Sequence, residues 1–301
     1  MTTTPTTDST PIVHTELPAM IELQNVSVIF GSHTAVDQLS LTVNRGELFG
    51  FLGPNGAGKT TTIRVLTGQG HLTSGCARVA GVELPKGLAH VKPLIGYIPD
   101  TENHMEEFTG RENLRLFARL YDVPLSRIDE GLAQLELSEA ANVIVKNYSK
   151  GMRKKLLIAR ELLHQPQVLF CDEPTANLDA HSVQRVRQLL REQASRGVTI
   201  FLTTHDMEEV EQICDRVAIL CKGKLVECDT PTRFITRHAE RNVLVQFERD
   251  NQTFRELLSL DDPAHQQRLS QIIQTERCVR LHSQEFRFAE VFLKLTGQAY
   301  T

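Results

Sequence analysis

The sequence predicts an α/β protein built on an open, largely parallel sheet, with a mainly helical block in mid-chain and a small α+β appendage at the end. Three observations predict it. Short apolar strand-like runs alternate with amphipathic helical stretches between residues 21 and 228, which is the pattern of a sheet wound with crossover helices. A glycine-rich turn at residues 53–61 lies between an apolar run and a helical one. A second apolar run, residues 168–171, ends in the paired carboxylates Asp172 and Glu173.

Taken in order, residues 1–18 are rich in Thr and Pro and poor in large apolar groups, so a disordered tail is expected. Strands are expected at Met20-Ile21-Glu22-Leu23, at the alternating residues 26–30, and at residues 39–43, the last closed by the turn Asn44-Arg45-Gly46-Glu47. Leu48-Phe49-Gly50-Phe51-Leu52 reads as a buried strand leading into the turn. Further strands are expected at residues 77–80 and 94–98. Over residues 111–121, Leu114, Phe117, Ala118 and Tyr121 share one helix face, and a second amphipathic stretch covers residues 128–137.

Residues 149–164 form another helical pattern, with Met152, Leu156, Ala159 and Leu163 as its buried stripe. Its basic run Arg153-Lys154-Lys155 reads as a partly solvated face rather than a nucleic-acid patch. Strands at 167–171, 198–202 and 217–220 alternate with helices at 182–195 and 207–214. Beyond residue 230 the pattern is weaker: a strand around Val243, Val245 and Phe247, a helix at 265–273, a strand at 278–282 and a helix at 288–295.

The composition restricts function. A net charge of −4 gives no global basic surface for nucleic acid. No apolar run approaches the roughly 18 residues that span a bilayer, and the first 20 residues lack Lys and Arg, so neither a membrane span nor a secretory signal is expected. None of the six cysteines forms a C-x-x-C pair, and reduced core thiols are expected.

Residues 53–61, Gly-Pro-Asn-Gly-Ala-Gly-Lys-Thr-Thr, fit G-x-x-x-x-G-K-T, the phosphate-binding P-loop. Gly53, Gly56 and Gly58 allow a tight turn that aims successive N–H groups at one anion, with Pro54, Asn55 and Ala57 between them. Lys59 can reach the outer phosphates, the Thr60 hydroxyl can ligate Mg2+, and Thr61 continues into a helix whose N-terminus favours the phosphates. Asp172, at a strand end, can hold the Mg2+ shell. Glu173 can polarise an attacking water as general base.

Together with Tyr148-Ser149-Lys150-Gly151-Met152, these motifs resemble those of the ATP-binding cassette (ABC) ATPases, whose signature is usually Leu-Ser-Gly-Gly-Gln; Ser149 and Gly151 are retained. The resemblance covers about residues 21–228. It implies a RecA-like P-loop NTPase core spanning residues 19–229 with an inserted helical subdomain at about residues 100–160; the weaker strand and helix pattern beyond it is read as an accessory domain at 230–301. It implies ATP and Mg2+ as ligands and a head-to-tail dimer, homodimeric or with a close paralogue, in which Ser149 and Gly151 face the γ-phosphate bound to the opposite subunit. Asn177-Leu178-Asp179 looks like the D-loop that communicates across that dimer. His205 looks like the switch histidine that senses the γ-phosphate, and Phe30 like the aromatic that stacks on adenine, with core packing as its alternative.

One position departs from the family pattern. Asp100 stands where a Gln normally ends the segment Ile95-Gly96-Tyr97-Ile98-Pro99. An Asp there can ligate Mg2+ but adds charge near the γ-phosphate, so a retained metal-linked coupling role with altered hydrolysis kinetics is expected.

Residues 288–297 resemble the closing segment of ATPase subunits from drug-, antibiotic- and polymer-exporting systems. The expected function is therefore the ATP-hydrolysing subunit of an exporter, at the cytoplasmic face of the membrane beneath a separate transmembrane permease, with no nucleic-acid partner. An importer ATPase, or a non-transport ABC clamp on ribosomes or DNA, are the alternatives.

Overall fold

The computed structural model describes residues 18–238, 241–250, 252–283 and 287–297. All but residue 18 of the expected N-terminal tail lies outside the described residues.

A six-stranded sheet forms the centre. Its spatial order is β10 (Lys224–Asp229), β9 (Arg216–Cys221), β3 (Leu48–Leu52), β8 (Thr199–Thr203), β7 (Val168–Asp172), β6 (Ile95–Ile98). All neighbours pair in parallel except the edge strand β10, which is antiparallel to β9. Strands covered on both faces read as unbroken apolar runs because each successive side chain enters a different core. In β3, Leu48 and Leu52 enter one core and Phe49 and Phe51 the other. In the second core Phe201 of β8 packs on Phe51, Phe49 and Phe170, with ring centroids 5.0, 5.8 and 5.9 Å away. Each such fully buried ring contributes about 1.5–3 kcal/mol relative to exposure.

That second core is closed by an antiparallel sheet of β2 (His33–Asn44), β1 (Ala19–Phe30), β4 (Ser74–Val79) and β5 (Val82–Leu84), and by α1 (Lys59–Leu66). A short α2 (Leu88–Val91) leads to β6. The first core is covered by α3 (Gly110–Leu120), α4 (Ser126–Gln134), α5 (Lys150–Leu162), α6 (Ala180–Ser195) and α7 (Met207–Ile213). Helix starts coincide with capping side chains. Thr109 and Glu112 form a capping box at α3, and Ser149, Asp179 and Asp206 cap α5, α6 and α7.

The remainder contains α8 (Pro231–His238), β11 (Asn242–Arg249), β12 (Gln252–Ser259), α9 (Pro263–Thr275), β13 (Arg277–Ser283) and α10 (Phe288–Thr296). Strands β12-β11-β13 make an antiparallel sheet with a small core of Val245, Phe247, Leu258 and Ile272. Packing runs across the boundary expected at residues 229/230, because Phe234 of α8 and Phe288, Val291 and Phe292 of α10 join the first core. Only the sheet and α9 keep a core of their own. β12 was not expected from the sequence: its mixed run Thr253-Phe254-Arg255-Glu256 is exposed apart from Glu256, which is half-buried.

Candidate functional site

The parallel strands β3, β6, β7 and β8 all end on one side of the sheet, where α/β folds bind ligands. There they deliver residues 53–59, Asp100, Asp172-Glu173 and His205. The loop after β3 tolerates no side chain at two of its glycines. A Cβ on Gly53 would stand 2.3 Å from the Leu220 carbonyl oxygen, and one on Gly58, at φ +107°, 2.4 Å from that of Ala35. The loop runs into α1, which starts without a side-chain cap, so its first turn presents N–H groups suited to an anion.

The Lys59 ammonium folds back over this loop and donates to the carbonyl oxygens of Gly53 and, at 3.2 Å, Pro54. Burial lowers its pKa, against the pull of Glu173 and Asp172. Asp172 is buried at the end of β7 and accepts a 2.5 Å hydrogen bond from Thr203 Oγ1. Glu173 follows with φ +53°, a left-handed conformation that costs a non-glycine residue of order 1 kcal/mol and is concentrated at functional sites. Its amide donates to the Thr203 carbonyl (3.0 Å), and its carboxylate Oε2 lies 2.7 Å from His205 Nδ1. Burial raises the Glu173 pKa, while the charge and hydrogen bonds of His205 pull it down.

These groups face a cleft of about 400 Å³ lined by Phe30, His33, Ala35, Asn55, Gly56, Ala57, Gly58, Lys59, Thr60, Thr61, Asp100, Asp172 and Glu173, a size usual for ligand pockets. Phe30 is 62% exposed at the cleft wall rather than in the core. The lining sets three carboxyl groups against one lysine. A nucleotide polyanion alone would meet that acidic excess unfavourably, and one accompanied by a divalent cation would not. Among the described residues no group of three or more His, Cys, Asp or Glu side chains gathers to hold a metal by itself. The Thr60 hydroxyl with the carboxylates of Asp172 and Asp100 is an oxygen donor set suited to Mg2+, which usually keeps waters and takes phosphate oxygens as well. The residues present fit Mg2+ with a nucleotide.

Ser149, Gly151 and Asp179 do not line this cleft. Ser149 Oγ accepts from the Met152 amide (3.2 Å), and Asp179 accepts from the amide (3.0 Å) and hydroxyl (2.7 Å) of Ser182. A Cβ on Gly151 would touch Leu178 Cδ2 at 3.4 Å, so the start of α5 and residues 177–179 adjoin one another as a second cluster.

Several site residues were not singled out in the sequence. His33 and Ala35 join the cleft only through the fold of β1 on β2. Thr203 was visible as a polar residue closing an apolar strand. Lys154 corrects the expected solvated basic face: it is 1% exposed, and its Nζ donates to the carbonyl oxygens of Pro99 (3.0 Å) and Asp100 (3.1 Å). Burial lowers its pKa, with Asp100 and Glu102 opposing. Glu209 of α7, fully buried, accepts from Thr175 Oγ1 (3.2 Å) and lies 3.6 Å from Arg187, which also pairs with Asp206 at 2.6 Å.

Residues 36–176 match the model of the ABC transporter family. A fluoroquinolones export ATP-binding protein of Mycobacterium tuberculosis is 36% identical over 268 residues, 89% of each chain. A Nod factor export ATP-binding protein I of Mesorhizobium japonicum is 35% identical over 299 residues, covering 92% of this chain and 87% of that one. Among solved structures, an ATP-binding subunit of an ABC transporter superimposes with a TM-score of 0.68 at 28% identity, over 72% of this chain and 92% of that one. A dimeric ATP-binding cassette in a post-hydrolysis state with ADP and Pi shares the fold, with a TM-score of 0.65 at 24% identity over 70% of this chain and 98% of that one.

Proposed function

Because this chain belongs to the ABC transporter family of ATP-binding proteins, we propose that it hydrolyses ATP as the engine of an exporter, paired with a second cassette on the cytoplasmic face of the membrane beneath a separate permease. The observation that carries the catalytic part is the pairing of Glu173 with His205 (2.7 Å), in a cleft shared with Lys59 and Asp172. The export direction is supported by the relatives named for fluoroquinolone and Nod factor export. The separate permease is supported by the same relatives, which are named as export ATP-binding proteins and are matched over about nine tenths of this chain.

In this reading the amides of residues 56–61 and the Lys59 ammonium bind the phosphates, and Phe30 packs on the base. Thr60 and Asp172, with Asp100 beside them, would hold Mg2+, which supplies charge neutralisation on the phosphates. Glu173 takes the proton of the attacking water at Oε1 while His205, bonded to Oε2, orients that carboxylate. Ser149, Gly151 and Asp179 serve the partner cassette's nucleotide. Their position outside this chain's own cleft supports that assignment, since a helix start suits an anion presented from another molecule. The helical block around residues 100–121 would pass motion to the permease.

The test is purification with membranes, identification of the co-purifying membrane protein, and ATPase assay of the wild type and Glu173→Gln. Turnover by the wild type that is lost in the variant is expected. Equal turnover by both would remove Glu173 from its role, and a chain with no ATPase activity in any assembly would overturn the proposal.

A further inference from the structure

Residues 99–106, the first part of the loop between β6 and α3, are held by α5. Arg160 of α5 donates to the Asn103 carbonyl (3.2 Å) and Oδ1 (2.7 Å). His104 Nε2 lies 2.8 Å from the Arg153 carbonyl, and Arg153 reaches Glu106 at 2.8 Å. Only Lys154 extends to the end of the loop at the cleft, where it bridges the Pro99 and Asp100 carbonyls. Lysine is almost never buried to this degree without a partner. Among the described residues no carboxylate lies within ion-pair distance of Lys154, and the charges of Asp100 and Glu102 act on it from farther off; its direct partners are the two main-chain carbonyls. If bulk alone were required, an apolar side chain of similar length would fill the space without the cost of desolvating a charge. A charged donor to two successive carbonyls instead fixes the peptide planes on either side of the Asp100 Cα, and with them the direction of its side chain.

We propose that Lys154 is a positioning residue: from inside α5 it fixes the backbone at residues 99–100 so that Asp100 faces the nucleotide cleft, and it ties the helix begun by Ser149 to the loop that carries Asp100. This rests on the reading of the cleft as a Mg-ATP site. The consequence is mechanical. Ser149 is assigned to the partner's nucleotide and Asp100 to this chain's own, so Lys154 is a direct link inside one protomer between the two sites of the pair.

The experiment compares wild type, Lys154→Met, Lys154→Gln, Asp100→Ala and the Lys154→Met/Asp100→Ala double variant. The first readout is the rate of cleavage after the exposed Glu102 by a glutamate-specific protease in nucleotide-free protein. Lys154→Met should speed it about tenfold or more with cleavage elsewhere in the folded chain unchanged. Lys154→Gln, which reaches fewer carbonyls, should fall between wild type and Lys154→Met. The second readout is Mg2+ half-saturation of turnover, which Lys154→Met should raise severalfold while the KM for ATP stays within about twofold; the double variant should match Asp100→Ala alone. Unchanged cleavage in the folded variants, or additive losses in the double variant, overturns the proposal. If Lys154→Met does not fold, cleavage of Lys154→Gln decides on the same terms. Absence of ATPase activity in the wild type would sink the functional reading, whereas the cleavage result still decides whether Lys154 holds the loop.

Discussion

His205 Nδ1 and Glu173 Oε2 stand 2.7 Å apart, although the two residues come from the ends of different strands, β8 and β7. The register that pairs Asp172 with Thr203 sets this meeting, and the left-handed turn at Glu173 aims its carboxylate across to the next strand end. Glu173→Gln should therefore keep nucleotide affinity within about threefold and lower turnover about 10²–10⁴-fold, the usual range for a general base. His205→Ala should lower turnover through the same carboxylate, so the double variant should lose little more than the worse single. Steady-state ATPase rates with equilibrium nucleotide binding check this; multiplicative losses would mean that the two act separately.

Lys59 donates to two loop carbonyls in a partly buried position where burial disfavours its charge. A phosphate anion relieves that penalty. Lys59→Ala should weaken Mg-ATP binding about 10- to 100-fold, the value of a hydrogen bond to a charged group, with the far-ultraviolet circular dichroism unchanged. Titration with a fluorescent ATP analogue measures it, and unaltered affinity would exclude Lys59 from phosphate binding.

The candidate site was legible where its proposed chemistry is local. Residues 53–61 and 168–173 carry strand, turn and candidate side chains in one unbroken stretch, and Ser149 and Asp179 announce helix starts through capping residues. Phe30 left core and cleft open, since an aromatic ending a strand suits both; its exposure to solvent depends on where β1 turns into β2. Lys154 misled, because a run of three basic residues on a helix reads as solvated until the loop it supports is in place. The join of α8 and α10 to the first core was illegible for the same reason. It depends on contacts between segments far apart in sequence, and periodicity shows which face is apolar but not what it meets.

Glu209 gives a pH dependence with a definite sign. Burial raises its pKa, with the Thr204 hydrogen bond and the Arg187 charge opposing. The folded chain thus holds this proton more tightly than the unfolded chain, in which Glu titrates near ~4.3. The resulting stability is fully present below that value and is lost as pH rises through the folded-state value. Glu209→Gln cannot ionise and leaves Arg187 paired with Asp206. The thermal midpoint of the variant minus that of the wild type should be larger at about pH 8 than at about pH 5. A difference independent of pH would show that Glu209 does not titrate abnormally.

Phe288 tests whether the end of the chain belongs to the cassette. It is fully buried, stands edge-on to Phe234 with centroids 5.5 Å apart, and donates its amide to Glu211 Oε1 of α7 at 2.8 Å. Truncation to alanine in such a setting costs about 3–5 kcal/mol, roughly 6–20 °C in thermal midpoint for a domain of this size. Phe254 is the control: it is 40% exposed on β12 and stacks on Phe247 at 5.7 Å, so its truncation should cost about 1 kcal/mol. If α10 were an independent appendage, Phe288→Ala would leave the main unfolding transition where it was and loosen only a minor one. A single transition lowered by Phe288→Ala and barely moved by Phe254→Ala is the expected result, because the first ring fills the core beneath the central sheet and the second lies on an outlying one.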